Sequence, residues 1–173
     1  QIANAQTAIT VLRTLYIEET AIHKGIAQTV WLGRMTKVAE HPYIYVDGAH
    51  NVAAWEYLRT SVEKYFTNRR VIYIIGVLKD KEYEKMVEIL APTMAAAVVI
   101  TPDTPRGLPK EILAPLIQAQ GVPVQLADTS AEALQKAREQ AGETGVILVS
   151  GSLSFLAEYL QLESGDENNG ASR

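Results

Sequence analysis

Hydrophobic and polar positions along this chain follow two periods, one typical of buried strands and one typical of helices with a single apolar face. Continuous apolar runs closed by glycine or polar residues predict strands at 71–75, 95–101, 122–126 and 145–149. Apolar residues at helical spacing predict helices at 51–66, 79–90, 109–119, 128–141 and from the turn at 150–152 to about 162. Strands and helices that alternate in this way form βαβ units. We therefore predict an α/β fold, a Rossmann-like three-layer αβα domain with a mostly parallel sheet.

The stretch ahead of these units has a different pattern. Residues 1–20 form one helical pattern, which weakens over 21–30 and there predicts a linker or hinge. Partial alternation at 31–38 and the β-prone run 43–47 predict a hairpin, which adds an antiparallel N-terminal strand to the sheet. The first helical pattern has no N-cap or initiator methionine ahead of it, so we expect a piece of a longer protein. The polar tail at 164–173 is predicted to be disordered.

Composition and charge narrow the classes of partner. The formal net charge is −4 and no basic cluster exceeds Arg69-Arg70, which argues against a nucleic-acid surface. No apolar run reaches the roughly 18 residues that span a bilayer, so we expect no membrane partner and a cytoplasmic location. Cysteine is absent, which excludes disulfides and thiolate metal sites and fits a reducing compartment.

Polar residues gather in the loops that follow the predicted strands. In a parallel sheet these loops share one edge, and sheets of this kind bind ligands there. The side chains that the loops contribute are Asp47, His50, Lys79, Asp80, Lys81, Arg106, Ser150 and Ser152. We therefore predict a polar ligand site at this edge.

Simpler roles stay open from the residues alone. Asp47 could cap the helix that starts near Asn51, His50 could face solvent at the start of that helix, and Arg34 could be an exposed residue of an edge strand. The chain has no phosphate-binding G-x-x-x-x-G-K-[ST] or G-x-G-x-x-G loop. Ser152 lacks the glycines of a G-x-S-x-G elbow, and the three histidines are scattered, so a serine hydrolase and a zinc site both rank low.

Several motifs, in order along the chain, resemble those of folylpolyglutamate synthase and bifunctional dihydrofolate synthase, which belong to the Mur ligase superfamily. The resemblance covers residues 1 to about 162. Its motifs are Q-I-A-N-A-Q-T-A at 1–8, W-L-G-R at 31–34, Y-V-D-G-A-H-N at 45–51, G-V-L-K-D-K at 76–81, T-P-R at 104–106 and S-G-S-L at 150–153. D-G-A-H-N together with L-K-D-K points to the folate branch of the superfamily.

The resemblance implies an ATP-dependent ligase that joins L-glutamate to dihydropteroate or a folate through an acyl phosphate. It implies that Asn4, Arg34 and Asp47 contact ATP, and that His50 and Ser152 position the incoming glutamate. Mg²⁺ would be held by an upstream ATPase domain, with no metal ligand in this chain. Residues 1–20 would be the last helix of that domain, 21–30 the hinge, and 31–163 the C-terminal ligase domain.

The resemblance also implies the partners. They are the upstream ATPase domain of the same protein and the small molecules ATP, L-glutamate and folate or dihydropteroate, and we expect a monomer. The isolated chain is predicted to be inactive because its phosphate-binding loop would lie upstream. Two alternatives stay open, a ligase of the same superfamily that acts on a UDP-muramoyl peptide, and a stand-alone Rossmann-like module that binds a small anion.

Overall fold

The computed structural model describes residues 2–153 and 156–159, and the chain divides into two compact units at Leu32/Gly33. The helices are Ile2–Thr14 (α1), Glu19–Gln28 (α2), Val52–Tyr65 (α3), Tyr83–Leu90 (α4), Lys110–Ala119 (α5) and Ser130–Ala141 (α6). The strands are Thr36–Glu40 (β1), Tyr43–Asp47 (β2), Val71–Ile75 (β3), Ala96–Ile100 (β4), Val124–Ala127 (β5) and Val146–Ser150 (β6).

The first unit contains two helices where the sequence predicted one helix and a linker. Helix α1 ends at Thr14, and Tyr16 follows it with a left-handed φ of 57°, a conformation that stops a helix. Helix α2 then covers most of 21–30, so the segment predicted as a linker or hinge is largely helical. Gly25 weakens a helix by about 1 kcal/mol relative to alanine, which accounts for the weak helical pattern in the sequence. A bidentate ion pair from Arg13 to Glu19 connects the end of α1 to the start of α2.

The second unit is built on a six-stranded sheet in the order β1-β2-β6-β3-β4-β5. Strands β2 to β6 run parallel, and β1 pairs antiparallel with β2 as the predicted hairpin requires. The predicted α/β fold with one antiparallel N-terminal strand is therefore confirmed. β3, β4 and β6 are buried along their whole length, as continuous apolar runs in a doubly covered sheet should be.

Helices cover both faces of the sheet and complete the three layers. Side chains of α3, α4 and α5 pack with one set of strand residues, and those of α6 and of residues 156–159 pack with the alternate set. On α3 the buried stripe is Trp55, Leu58 and Val62, with Phe66 following the helix. Tyr57 and Tyr65 lie on the same helix but are 77% and 64% exposed. Trp55 therefore sets the inward face of α3.

The carboxyl-terminal predictions fall partly outside the described residues. Residues 153 and 156–159 are helical, in agreement with a helix after the turn at 150–152. Its predicted end near 162 and the predicted disorder of 164–173 lie outside the described part of the chain. Within residues 2–153 and 156–159, no helix combines the length and apolar character that crossing a membrane demands.

Candidate functional site

The carboxyl ends of neighbouring strands bring the predicted loops to one edge of the sheet. Asp47, the last residue of β2, pairs with Ser150, the last residue of β6, and Ser150 pairs in turn with Ile75, the last residue of β3. The loop after β2, the loop after β3 and the turn at 150–152 therefore start side by side. This arrangement agrees with the sequence prediction that polar loops converge on a common edge.

Asp47 is more deeply placed than the sequence suggested. Only 7% of it is exposed, and its two carboxylate oxygens accept hydrogen bonds of 2.9 Å from the backbone N–H groups of Ala49 and Met35. The carboxylate at this edge is therefore mostly buried and not open to solvent. The capping role is wrong, because the side chain of Asn51 accepts from the N–H of Ala54 and caps α3.

The electrostatics of Asp47 reflect this burial. Loss of water raises the pKa of the Asp47 carboxyl, while the two backbone N–H bonds and the positive charge of Arg34 oppose that rise. The carboxylate therefore holds the segments of Met35 and Ala49 together by hydrogen bonds, and its loss of hydration opposes this stabilisation. Each oxygen keeps a second acceptor position, because a carboxylate offers about four lone-pair sites and the backbone uses two.

Arg34 lies in a tight turn beside Asp47. Its neighbours Gly33 and Met35 both adopt left-handed backbone conformations, with φ of 78° and 46°. The side chain of Arg34 is exposed, and its guanidinium makes no hydrogen bond or ion pair within the described residues. The N–H of Gly48 donates to the carbonyl of Gly33 at 2.7 Å, which ties this turn to the loop that carries His50. The structure thus brings together the two segments that carry Arg34, Asp47 and His50, and their proposed roles as ligand contacts stay predictions.

His50 is half-buried and has a defined orientation. Its Nδ1 lies 2.7 Å from the carbonyl oxygen of Gly48. A carbonyl can only accept, so Nδ1 carries the proton of this bond, and in the neutral ring Nε2 is left as an acceptor. The ring therefore has one nitrogen committed to the loop and one available to a ligand.

The carbonyl oxygen of Ala49 connects three parts of the site. It accepts from the indole Nε1–H of Trp55 and from the N–H of Gly151, both at 3.1 Å, and the hydroxyl of Ser150 lies 3.3 Å away. Trp55 is fully buried, so the loop is anchored to the core of α3 as well as to the end of β6. Sequence reasoning missed this role of Trp55, since a core tryptophan carries no signal of its N–H partner.

The turn after β6 is closely packed. Gly151 has φ of 119°, and a Cβ at this residue would lie 2.5 Å from the backbone oxygen of Gly76, so only glycine fits here. Ser152 is 2% exposed, so its hydroxyl is not open to solvent in this structure. Its predicted role in positioning glutamate stays a prediction.

The loops after β3 and β4 are joined by an ion pair that the sequence did not predict. Arg106 donates from Nε and Nη2 to the two carboxylate oxygens of Asp80, at 3.2 and 2.6 Å. This pairing lowers the pKa of Asp80 to about 2. Lys81 Nζ lies 3.4 Å from Asp80, and the N–H of Lys79 donates to the carbonyl of Arg106. The guanidinium of Arg106 is thus engaged, unlike that of Arg34.

Two predictions about the site are left, the ATP contact of Asn4 and the metal ligands. Asn4 is exposed on α1 in the first unit, and its contact with ATP stays a prediction. Among residues 2–153 and 156–159, no group of three or more histidine or acidic side chains has the geometry to hold a metal ion.

Comparisons with known proteins agree on one family. The family model described as "Mur ligase, glutamate ligase domain" matches residues 33–153. Dihydrofolate synthase/folylpolyglutamate synthase of Escherichia coli (strain K12) is 32% identical over 161 residues, which are 92% of this chain and 37% of that protein.

Solved structures agree as well. The structure of E. coli FolC in complex with DHPP and ADP has a TM-score of 0.86 and 30% identity, over 95% of this chain and 39% of that one. A bifunctional folylpolyglutamate synthase/dihydrofolate synthase with Mn, AMPPNP and L-glutamate bound has a TM-score of 0.83 and 26% identity, over 93% and 39%. The chain spans less than two fifths of each of these three proteins. Because the family match covers well over half of the chain, and its strand order and loops fit, this chain belongs to the Mur ligase family and contains its glutamate ligase domain.

Proposed function

We propose that this chain is the C-terminal part of an ATP-dependent folate ligase, which adds L-glutamate to dihydropteroate or a folate in the cytoplasm. Its solved structural relatives contain DHPP and ADP in one case, and Mn, AMPPNP and L-glutamate in another, which supports a nucleotide and an amino acid as ligands. One observation carries the proposal. At one edge of the sheet lie both the guanidinium of Arg34, which makes no hydrogen bond or ion pair within the described residues, and the Nε2 of His50, which is available to a ligand.

Arg34 supplies the ATP contact that the geometry favours most. Its forked N–H donors match phosphate oxygens, and none is used within the described residues. Asp47 offers the remaining acceptor positions of its oxygens to the ribose hydroxyls, from a mostly buried position. For Asn4, on α1, the proposed role is an amide contact to ATP.

His50 and Ser152 orient the nucleophile. The amino group of glutamate can donate to Nε2 of His50, whose ring is fixed by its bond to Gly48. Ser152 follows Ser150, whose hydroxyl approaches the Ala49 carbonyl next to His50, by two residues, and we propose that it contributes to the same glutamate site. The role of both residues is to hold the amine in line with its target more than to move a proton.

The proposed reaction proceeds in two steps. The γ-phosphate of ATP passes to the carboxylate of the pteroate or folate, which gives an acyl phosphate and ADP. The amine of glutamate then attacks the acyl carbon, phosphate leaves, and the amine loses a proton. A divalent metal, when bound, would neutralise charge at the phosphates, and we propose that an upstream domain supplies its ligands. A hinge near residues 21–30 would let the C-terminal domain close on the upstream ATPase domain and exclude water from the acyl phosphate.

The test is a steady-state assay of ADP release by a full-length protein that carries this chain. We expect turnover with ATP, L-glutamate and either dihydropteroate or a folate, and none with UDP-muramoyl substrates. His50→Ala should raise KM for glutamate about tenfold, because a hydrogen bond to a charged group contributes about 1.5 to 3 kcal/mol, and should leave KM for ATP unchanged.

A second histidine provides the control. His41 is exposed and precedes β2, at the opposite end of that strand from His50, so His41→Ala should change neither constant. If the protein turned over only UDP-muramoyl substrates, the proposed folate ligase activity would be refuted in favour of a UDP-muramoyl peptide ligase. An unchanged KM for glutamate in His50→Ala would remove the role given to His50.

A further inference from the structure

The turn that carries Arg34 is strained and is held by specific acceptors. Met35 has a left-handed φ of 46°, which costs a residue with a side chain roughly 1 to 2 kcal/mol relative to glycine. Such a conformation persists only where its surroundings enforce it, and residues of this kind cluster at functional sites. The question is which groups enforce it here.

Two side chains on adjacent strands hold the backbone on either side of Arg34. The hydroxyl of Thr36 accepts from the N–H of Gly33 at 2.9 Å, and Asp47 accepts from the N–H of Met35 at 2.9 Å. Thr36 is the first residue of β1 and pairs with Val46, next to Asp47 on β2. Both acceptors therefore stand on a rigid hairpin, one for each residue that flanks Arg34.

We propose that Thr36 is a positioning residue for ATP binding, whose hydroxyl fixes the Gly33–Met35 turn so that Arg34 points its guanidinium at the phosphates. The inference rests on the proposed function, because it requires Arg34 to contact ATP. Thr36 itself does not touch the ligand. It acts by limiting the directions that the long, otherwise unengaged side chain of Arg34 can take, which lowers the entropy cost of binding phosphate.

Thr36→Val tests this directly, because valine keeps the shape and β propensity of threonine and removes only the acceptor. In a full-length protein carrying the chain, KM for ATP should rise about fivefold, with KM for L-glutamate unchanged. Calorimetry should give the same change in Kd for a non-hydrolysable ATP analogue. Thr36→Ser should restore wild-type values, and Thr36→Ala serves as a second variant in case the valine protein does not fold.

Thr93→Val is the matched control. Thr93 is also half-buried and also uses its hydroxyl in hydrogen bonds, to Tyr73 and to the carbonyl of Leu90, but it precedes β4 at the opposite edge of the sheet. This variant should lose stability without any change in KM for ATP.

A double-mutant cycle with Arg34→Ala separates the inference from the function on which it rests. Arg34→Ala should weaken ATP binding, and adding Thr36→Val should weaken it no further. Two results would overturn the positioning role and leave the ATP contact standing. In the first, Arg34→Ala weakens ATP binding and Thr36→Val does not. In the second, Thr36→Val weakens ATP binding as much in the Arg34→Ala protein as in the wild type. If Arg34→Ala binds ATP normally, the ATP contact fails and the positioning role fails with it.

Discussion

Replacing Asp47 with alanine tests the most constrained residue of the site. The substitution leaves the N–H groups of Met35 and Ala49 without their acceptor. Each unpaired buried donor costs about 1 to 3 kcal/mol, and removal of a mostly buried charge returns part of that energy. We expect a net loss of about 2 kcal/mol in the free energy of unfolding. In a full-length protein, KM for ATP should rise about tenfold or more, the equivalent of one charge-assisted hydrogen bond.

Two measurements distinguish bracing from ligand contact in Asp47→Ala. Urea unfolding gives the stability loss, and ADP-release kinetics give KM for ATP. Thr129→Ala is the control, because it removes the N-cap of α6 and should cost about 1 kcal/mol of stability with no kinetic effect. If Asp47→Ala loses stability and keeps its KM for ATP, the carboxylate is a structural brace alone and the proposed ribose contact is refuted.

The stability loss in Asp47→Ala should also depend on pH. Because burial raises the pKa of Asp47 in the folded protein, its contribution to stability is full below its unfolded pKa near 3.8 and declines as pH rises through the folded pKa. The difference in unfolding free energy between wild type and Asp47→Ala should therefore be larger at pH 4 than at pH 7. A difference that grows with pH would contradict the direction of the shift.

Two further substitutions probe the supports of the site. Trp55→Phe removes the donor to the Ala49 carbonyl and should lower stability and raise KM for glutamate, whereas Tyr73→Phe, another buried aromatic that loses one hydrogen bond, should lower stability alone. Asp80→Asn breaks the ion pair with Arg106. In the wild type that pair lowers the pKa of Asp80 to about 2, so it stabilises the folded protein above pH 3.8, and this stabilisation is lost as pH falls towards 2. Thermal unfolding from pH 5 to 2 should be steeper for the wild type than for Asp80→Asn, and high salt should reduce the difference. Equal slopes would contradict the pairing.

The sheet could be predicted from the sequence because its signals are local. Runs such as 71–75 and 145–149 are apolar at every position, which only a strand covered on both faces requires. Helix phase was harder. On α3 both Trp55 and Tyr57 are aromatic and lie near the start of the helix, and only tertiary packing decides that Trp55 faces inward.

The sequence predicted which residues belong to the candidate site, but it did not predict the hydrogen bonds between them. The positions of Asp47 and His50 near one strand end followed from the βαβ pattern, whereas the place of Arg34 in the site was implied only by the family resemblance. The N–H of Met35, which donates to Asp47, is 12 positions away in the sequence, and the N–H of Gly151, which donates to the carbonyl of Ala49, is about 100 positions away. Sequence spacing carries no information about such contacts. The sequence also gave no sign that the side chains of Asp47 and Ser152 are both buried.

The hairpin explains how Arg34 reaches the ligand-binding edge at all. In a parallel sheet the residues that precede a strand lie at the amino edge, away from the loops that bind ligands. Strand β1 runs antiparallel to β2, so its first residue, Thr36, pairs with Val46 near the carboxyl end of β2. The residues just before β1 therefore lie beside those just after β2, and the 2.7 Å bond from Gly48 to Gly33 closes this junction. The antiparallel strand β1 thus adds Arg34 to a site that the loops after the parallel strands would otherwise form alone.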